Sequence, residues 1–379
     1  MHPTGPIARR FPLVARHRPA CLPLTARVGR LTELADTASR QDDPSLASAV
    51  FNQAALLASD LALPGYAREL CHRHAALHLT RGLLPATSAI HFLEPVVNLA
   101  RLHIRAGHHQ HGHQLLLDLY RAVTTATETT LDGITIPTRL TQTTEQQHEV
   151  RRWLWRVLIA DGTRALTTAG RWTDALRHIE QHRGIGRRIL DGRQVAVLAH
   201  ATASDLPGAL ALLADTEPGA PWENAVTAVL TALCRPGDRP AVETAIDHCL
   251  ALEPDEGLAV FTTRLALTAI DTAGPDTPAS RDLIEQLSHR AGETGDGYAL
   301  RDLLTHPGVR DRLGPGRTAE LAQTLAACAL GSATLSEPLR DQLEAALAAA
   351  QAVLEASPPD PVPPAGNPFG KHTPRTAHS

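Results

Sequence analysis

Ala169-Gly170-Arg171-Trp172-Thr173-Asp174-Ala175-Leu176 closes one amphipathic run and opens the next. Ala203-Ser204-Asp205-Leu206-Pro207-Gly208-Ala209-Leu210 has the same form, and Pro236-Gly237-Asp238-Arg239-Pro240-Ala241 follows as a third copy. Ala175 and Ala209 are 34 residues apart, and the third copy comes 32 later. A period near 34 with two helices per unit predicts helix pairs that stack, because one pair alone cannot hide its apolar face. The small residue at each turn lets the chain reverse. The alanine that follows lets the second helix pack closely on the first.

Outward from this stretch the pattern continues as helix after helix. Apolar residues recur at three and four residues, and period-2 alternation is almost absent. Leu46 to Leu61, Tyr66 to Leu79, Ile90 to Ala106 and Gln114 to Thr127 each read as an amphipathic helix, and helices alternate from Val150 to about Glu355. The Thr-rich stretch 128–147 interrupts them. Leu131-Asp132-Gly133-Ile134-Thr135-Ile136-Pro137 is the one place that suggests a short hairpin. The expected fold class is all-α, with helix for roughly 65–75% of residues against a base rate of about a third.

The two ends have a different character. Arg9, Arg10, Arg16, Arg18, Arg27 and Arg30 precede the first acid, Glu33, while Pro3, Pro6, Pro12, Pro19 and Pro23 break any long helix. Residues 1–30 are therefore expected to form a disordered basic leader, and nucleic acid would be met, if at all, through this arm. The proline-rich stretch from Ser357 onward is expected to be a disordered tail. Between them lie N-terminal helical pairs over 31–127 and repeats over 148–356.

Composition narrows the function classes. Net charge is −4, which argues against a surface given over to nucleic acid. No apolar run reaches the 18 or so residues of a membrane span. Cys21, Cys71, Cys234, Cys249 and Cys328 are far apart with no CxxC, so neither a disulfide framework nor a cysteine zinc site is expected, and a reducing, cytoplasmic location fits. Lys371 is the only lysine and Met1 the only methionine. Such avoidance of AT-rich codons points to a high-GC bacterial genome and discounts the 20 histidines as a functional signal.

Gly170-Arg171-Trp172-Thr173-Asp174-Ala175 resembles the turn of the tetratricopeptide repeat family, with Pro221 near that family's closing proline. The resemblance is good at 153–186 and fair at 188–252. It implies a right-handed superhelix of stacked antiparallel helix pairs, an α-solenoid that binds proteins or peptides in a concave groove and has no chemistry of its own. Further toward the N-terminus, Ala62-Leu63-Pro64-Gly65-Tyr66-Ala67 is turn-like, but the step of 45 residues from Ala67 to Gly112 exceeds the standard unit.

Aligning first helices on their turns sets Asn98 with Asp161 and Arg101 with Arg164, and sets Asn52 beside Asn98. In such a solenoid these positions line the inner wall. Amides there can hydrogen-bond an extended peptide, and arginines can grip a carboxylate. Asn52, Asn98, Arg101, Arg105, Asp161 and Arg164 are therefore the expected partner groove. The lysine-and-asparagine clamp of some family members is absent, since the helical region has no lysine. His103, His108, His109, His111 and His113 crowd 11 residues, and His109 with His113, or His74 with His78, have the i,i+4 spacing of a shared metal. Gly107 and Gly112 loosen the segment and no acid lies within it, so no metal or cofactor is expected. Trp153, Trp155, Trp172 and Trp222 read as core, one of the first two being turned outward. Arg183-Gly184-Ile185-Gly186-Arg187-Arg188 follows a helix rather than a strand, which excludes a dinucleotide fingerprint.

No Walker sequence, GxSxG or HExxH is present. The function expected is a non-catalytic protein- or peptide-binding scaffold or regulatory module. Two alternatives are a signal-responsive transcriptional regulator acting through a partner and an all-helical accessory enzyme of a secondary-metabolite pathway.

Overall fold

Prolines begin helices here. Pro6, Pro44, Pro64, Pro221, Pro278 and Pro307 each open one, where the missing N–H would have no intrahelical partner anyway. Side chains of Asp43, Asp205, Asp238, Thr277 and Asp296 cap helices, two of them proline-led, by accepting from backbone N–H groups of the first turn. Thr143 and Gln146 form a reciprocal capping box. The computed structural model describes residues 1–79 and 82–356, and about 72% of them are helical. The expected tail from Ser357 lies outside the described residues.

In chain order the helices are α1 (Pro6–Arg10), α2 (Leu24–Gln41), α3 (Pro44–Asp60), α4 (Pro64–Leu79), α5 (Ala86–Arg105) and α6 (His109–Thr125). A hairpin follows, β1 (Thr129–Leu131) and β2 (Ile134–Ile136). Then come α7 (Thr144–Val157), a π turn at Leu158–Gly162, α8 (Thr163–Thr168), α9 (Trp172–Gln181), α10 (Asp191–Thr202) and α11 (Leu206–Ala214). The remainder is α12 (Pro221–Cys234), α13 (Arg239–Leu250), α14 (Ala259–Ala273), α15 (Pro278–Thr294), α16 (Gly297–Leu304), α17 (Pro307–Arg310), α18 (Gly314–Ala327) and α19 (Glu337–Ala356). Among the described residues the fold is all-α apart from the hairpin, whose Thr130 pairs with Thr135 across a turn with positive φ at both Asp132 and Gly133. Arg68 of α4 holds that turn with a forked pair of bonds to Asp132, at 3.0 and 2.8 Å.

Sequence neighbours are neighbours in space, α2 on α3, α3 on α4, α4 on α5, and again through α12, α13 and α14. Helices two apart also touch: α3 on α5, α5 on α7, α12 on α14 and α14 on α16. Ala175 and Ala209, the alanines of the repeated turns, are fully buried.

The apolar interior divides into two main cores, and each borrows from the far end of the sequence. The first runs from Val28 to Leu158 and is completed by Leu343, Leu347 and Leu354 of α19. The second runs from Leu166 to Leu321 and is completed by Ala8, Phe11 and Leu13. α19 packs on α2 and α3, and its Glu344 accepts from Tyr66 Oη at 2.6 Å and pairs with Arg73 at 3.0 Å.

The expectation of a disordered leader over 1–30 is corrected. Residues 24–30 begin α2, and residues 1–23 lie along the later helices with Ala8, Phe11, Leu13 and Cys21 buried. The apolar residues between the prolines supply the driving force, because burying Phe11 and Leu13 removes area comparable to any core pair.

Candidate functional site

Asn52 on α3, Asn98 and Arg101 on α5 and Asp161 on the π turn form one connected row. Asn52 Nδ2 donates to Glu94 Oε2 at 2.6 Å, and Asn98 Nδ2 donates to Asn52 Oδ1 at 2.8 Å. Arg101 Nη1 donates to Asn98 Oδ1 at 3.0 Å, while its Nε and Nη2 reach one oxygen of Asp161 at 3.2 and 2.7 Å. The Asp161 charge raises the Arg101 pKa. Each bond orients the next amide, so the row presents fixed donors and acceptors.

The row faces a cavity of about 1280 Å³. All six groove residues read from the sequence line it, together with parts of α3, α5, α7, α8, α14, α16 and the segment 9–19. Its described lining holds eight arginines against four carboxylates, although the chain as a whole is acidic. A concave space lined by an excess of one charge sign focuses the field toward ligands of the other.

Arg105 and Arg164 differ within that lining. Arg105 is committed to α3, donating to Ser59 Oγ at 2.9 Å and Asp60 Oδ1 at 3.0 Å. Arg164 has no ion pair among the described residues; its one hydrogen bond goes to the Pro12 carbonyl, at 3.4 Å. Burial, then the nearby Arg264 charge, lower its pKa. Arg164 is thus a cation at the cavity wall with donors to spare.

Below the row lies Asp60, nearly inaccessible at the end of α3. It accepts from Arg27 at 2.7 Å, from Arg105 at 3.0 Å and from the Tyr298 hydroxyl. These partners come from α2, α5 and α16, so one carboxylate ties the start of the helical array to its late part.

Several of the histidines have structural partners. His103 meets Asp132 at 3.1 Å and supports the hairpin turn. His109 lines the cavity, whereas His113 turns away toward His178, Nε2 to Nδ1 at 3.3 Å. His178 Nε2 in turn meets the Leu158 carbonyl of the π turn at 3.1 Å. Donation to that carbonyl leaves Nδ1 as the acceptor for His113. Gly162 makes room, since a Cβ there would sit 3.0 Å from His178 Nε2. Burial holds the His178 pKa down at about 4 and also lowers His113 and His182. His74, deeply buried and stacked 5.3 Å from Phe51, is likewise lowered by burial. No group of three or more His, Cys, Asp or Glu is placed to hold a metal ion among the described residues.

Three of the four tryptophans are placed by a carbonyl partner or by the cavity. Trp172 is buried and donates to the Pro3 carbonyl at 2.8 Å; Trp155 donates to the His182 carbonyl at 2.8 Å; Trp153 faces the cavity. Arg187 and Arg188 pair with Glu217 and Glu223. Three features have no periodic signal and escape sequence reading: the Asp60 hub, the inward path of residues 1–23, and Gln194, whose amide is buried against Leu13.

Comparison of the chain with protein-family models and with curated proteins finds no match. No helix among the described residues is long and apolar enough to cross a membrane.

Proposed function

We propose that this chain is a non-catalytic helical-repeat scaffold or regulatory module that receives an acidic segment of a protein or peptide partner in its central cavity. In this reading the helix pairs form a tetratricopeptide-like, right-handed superhelical array working in the cytoplasm. Contacts between helices two apart in the sequence support the repeat, and the meeting of α19 with α2 and α3 draws the array's ends together. The observation that carries the proposal is the row Asn52–Asn98–Arg101–Asp161, held in register by its own hydrogen bonds on the wall of an arginine-rich cavity. Fixed amides match the backbone of an extended chain, and arginine matches a carboxylate at two points.

The test is selection from a displayed library of random extended peptides against the full chain. Enriched peptides are expected to be acidic, and Arg101→Lys or Asn98→Ala is expected to abolish the enrichment although neither changes the fold. Equal enrichment on wild type and both variants removes the cavity from the function.

A further inference from the structure

Part of the cavity lining is supplied by the chain's own N-terminal segment. Residues 11–23 run without helix or strand along α10, α14 and α16, and what holds them is of a particular kind. Gln194, buried in α10, reads the main chain of Leu13 at both ends, accepting from its N–H and donating to its carbonyl, each at 2.7 Å. Trp172 holds the Pro3 carbonyl, and the Gly297 N–H holds the Cys21 carbonyl at 2.7 Å. Three basic side chains of the segment meet carboxylates of the helical body: Arg10 with Asp271 at 2.5 Å, Arg16 with Asp191, and the His17 imidazole with Asp255 at 2.8 Å. Arg18 lies 4.1 Å over the ring of Tyr298. Phe11 and Leu13 are the apolar anchors.

Main-chain carbonyls and N–H groups read by fixed donors and acceptors, arginines read by carboxylates, and one aromatic anchor are how an extended peptide ligand is recognised. The segment carries no acid, and the carboxylates that meet it belong to the body. We infer that the face made by α8, α10, α14 and α16 is a binding site for a basic peptide of the kind Arg-Phe-Pro-Leu-x-x-Arg, a short helical turn followed by extended chain, filled in this chain by its own residues 3–21. This goes beyond the acidic partner proposed for the cavity, because it concerns the helices beneath the segment and the opposite charge. The tether makes the local concentration of the segment high, so a free peptide cannot compete while the connection at residues 22–24 is intact.

The experiment keeps the whole chain. A protease recognition sequence is inserted between Leu22 and Pro23, the purified protein is cleaved, and a labelled synthetic peptide of residues 1–22 is added. The freed segment is expected to stay associated and to exchange with the labelled peptide while helical circular dichroism is unchanged. A peptide N-methylated at Leu13 loses the donor to Gln194 and should compete about tenfold more weakly or worse, as should one with Arg10 and Arg16 changed to Glu. These changes lie in the peptide, so no variant of the body has to fold. Loss of helical signal once the segment is diluted away, or a segment that never exchanges in a folded body, would show it to be core rather than ligand. Equal competition by the N-methylated peptide would overturn main-chain reading by Gln194.

Discussion

Arg101 and Asp161 meet between α5 and the π turn, the guanidinium presenting Nε and Nη2 to one carboxylate oxygen at 3.2 and 2.7 Å. The third nitrogen is spent on Asn98, at 3.0 Å. Lysine at 101 keeps the charge but cannot serve both neighbours with a planar fork. Since Arg101 is about half exposed, Arg101→Lys should change stability by less than about 1 kcal/mol. A melting temperature within a few degrees of wild type, beside lost peptide enrichment, is the expected pair of results.

Asp60 is the opposite case. Its carboxylate is 3% exposed and faces Arg27 at 9%. Asp60→Ala strands a buried guanidinium and a buried tyrosine hydroxyl, and should cost about 3–5 kcal/mol in urea denaturation. Asp60→Asn keeps the shape and one acceptor and should cost less. A loss below 1 kcal/mol for Asp60→Ala would mean that Arg27 finds water.

Stability should fall as the solution is acidified toward pH 4. His178 has a folded-state pKa near 4, below the ordinary histidine value, so between these limits the unfolded chain binds the proton and the folded chain does not. The stability lost through this group grows as pH drops from about 6.5 and levels off below about 4, with a ceiling near 3 kcal/mol. His178→Gln cannot be protonated. The pH 7.5 to 4.5 shift in denaturation midpoint should therefore be smaller in this variant than in wild type.

Gly112 is where α6 crosses α5. A Cβ there would lie 2.6 Å from Ile104 Cγ1 and 2.7 Å from the Ala100 carbonyl oxygen, and the second of these is backbone. Gly112→Ala should therefore destabilise by about 1–3 kcal/mol, against the gain of about 1 kcal/mol that alanine normally brings to a helix.

Ala175→Leu and Ala209→Leu should each cost about 1–3 kcal/mol by overpacking. Both alanines are fully buried, on α9 and α11 respectively. An unchanged melting temperature in both variants would contradict that packing.

These two alanines were legible in the sequence because a repeated turn announces its own small residue. The helices and the hairpin at Asp132-Gly133 were legible for the same local reason. The six residues of the expected groove all line one cavity, but the commitment of Arg105 to Asp60 is a contact that aligned turns do not announce. Residues 1–23 were not legible. Phe11 and Leu13 stand among prolines with no period to reveal a buried face, and their partner Gln194 is 181 residues from Leu13. The pattern of α19 shows an apolar stripe but cannot name α2 and α3 as its cover. Asp60 at the end of α3 looks like any helix-terminal acid until Arg27 and Tyr298 arrive from far away.

The borrowed pieces of the two cores set an order of events during synthesis. The helices from α2 to α7 leave the ribosome with the surface that α19 will cover still open, and Leu343 is made 185 residues after Leu158. At about 5–20 residues per second that interval lasts roughly 10–40 s. Ala8, Phe11 and Leu13 wait similarly for α14. A nascent chain halted before residue 337 therefore carries an uncovered apolar face, and is a substrate for chaperones in a way the finished protein is not.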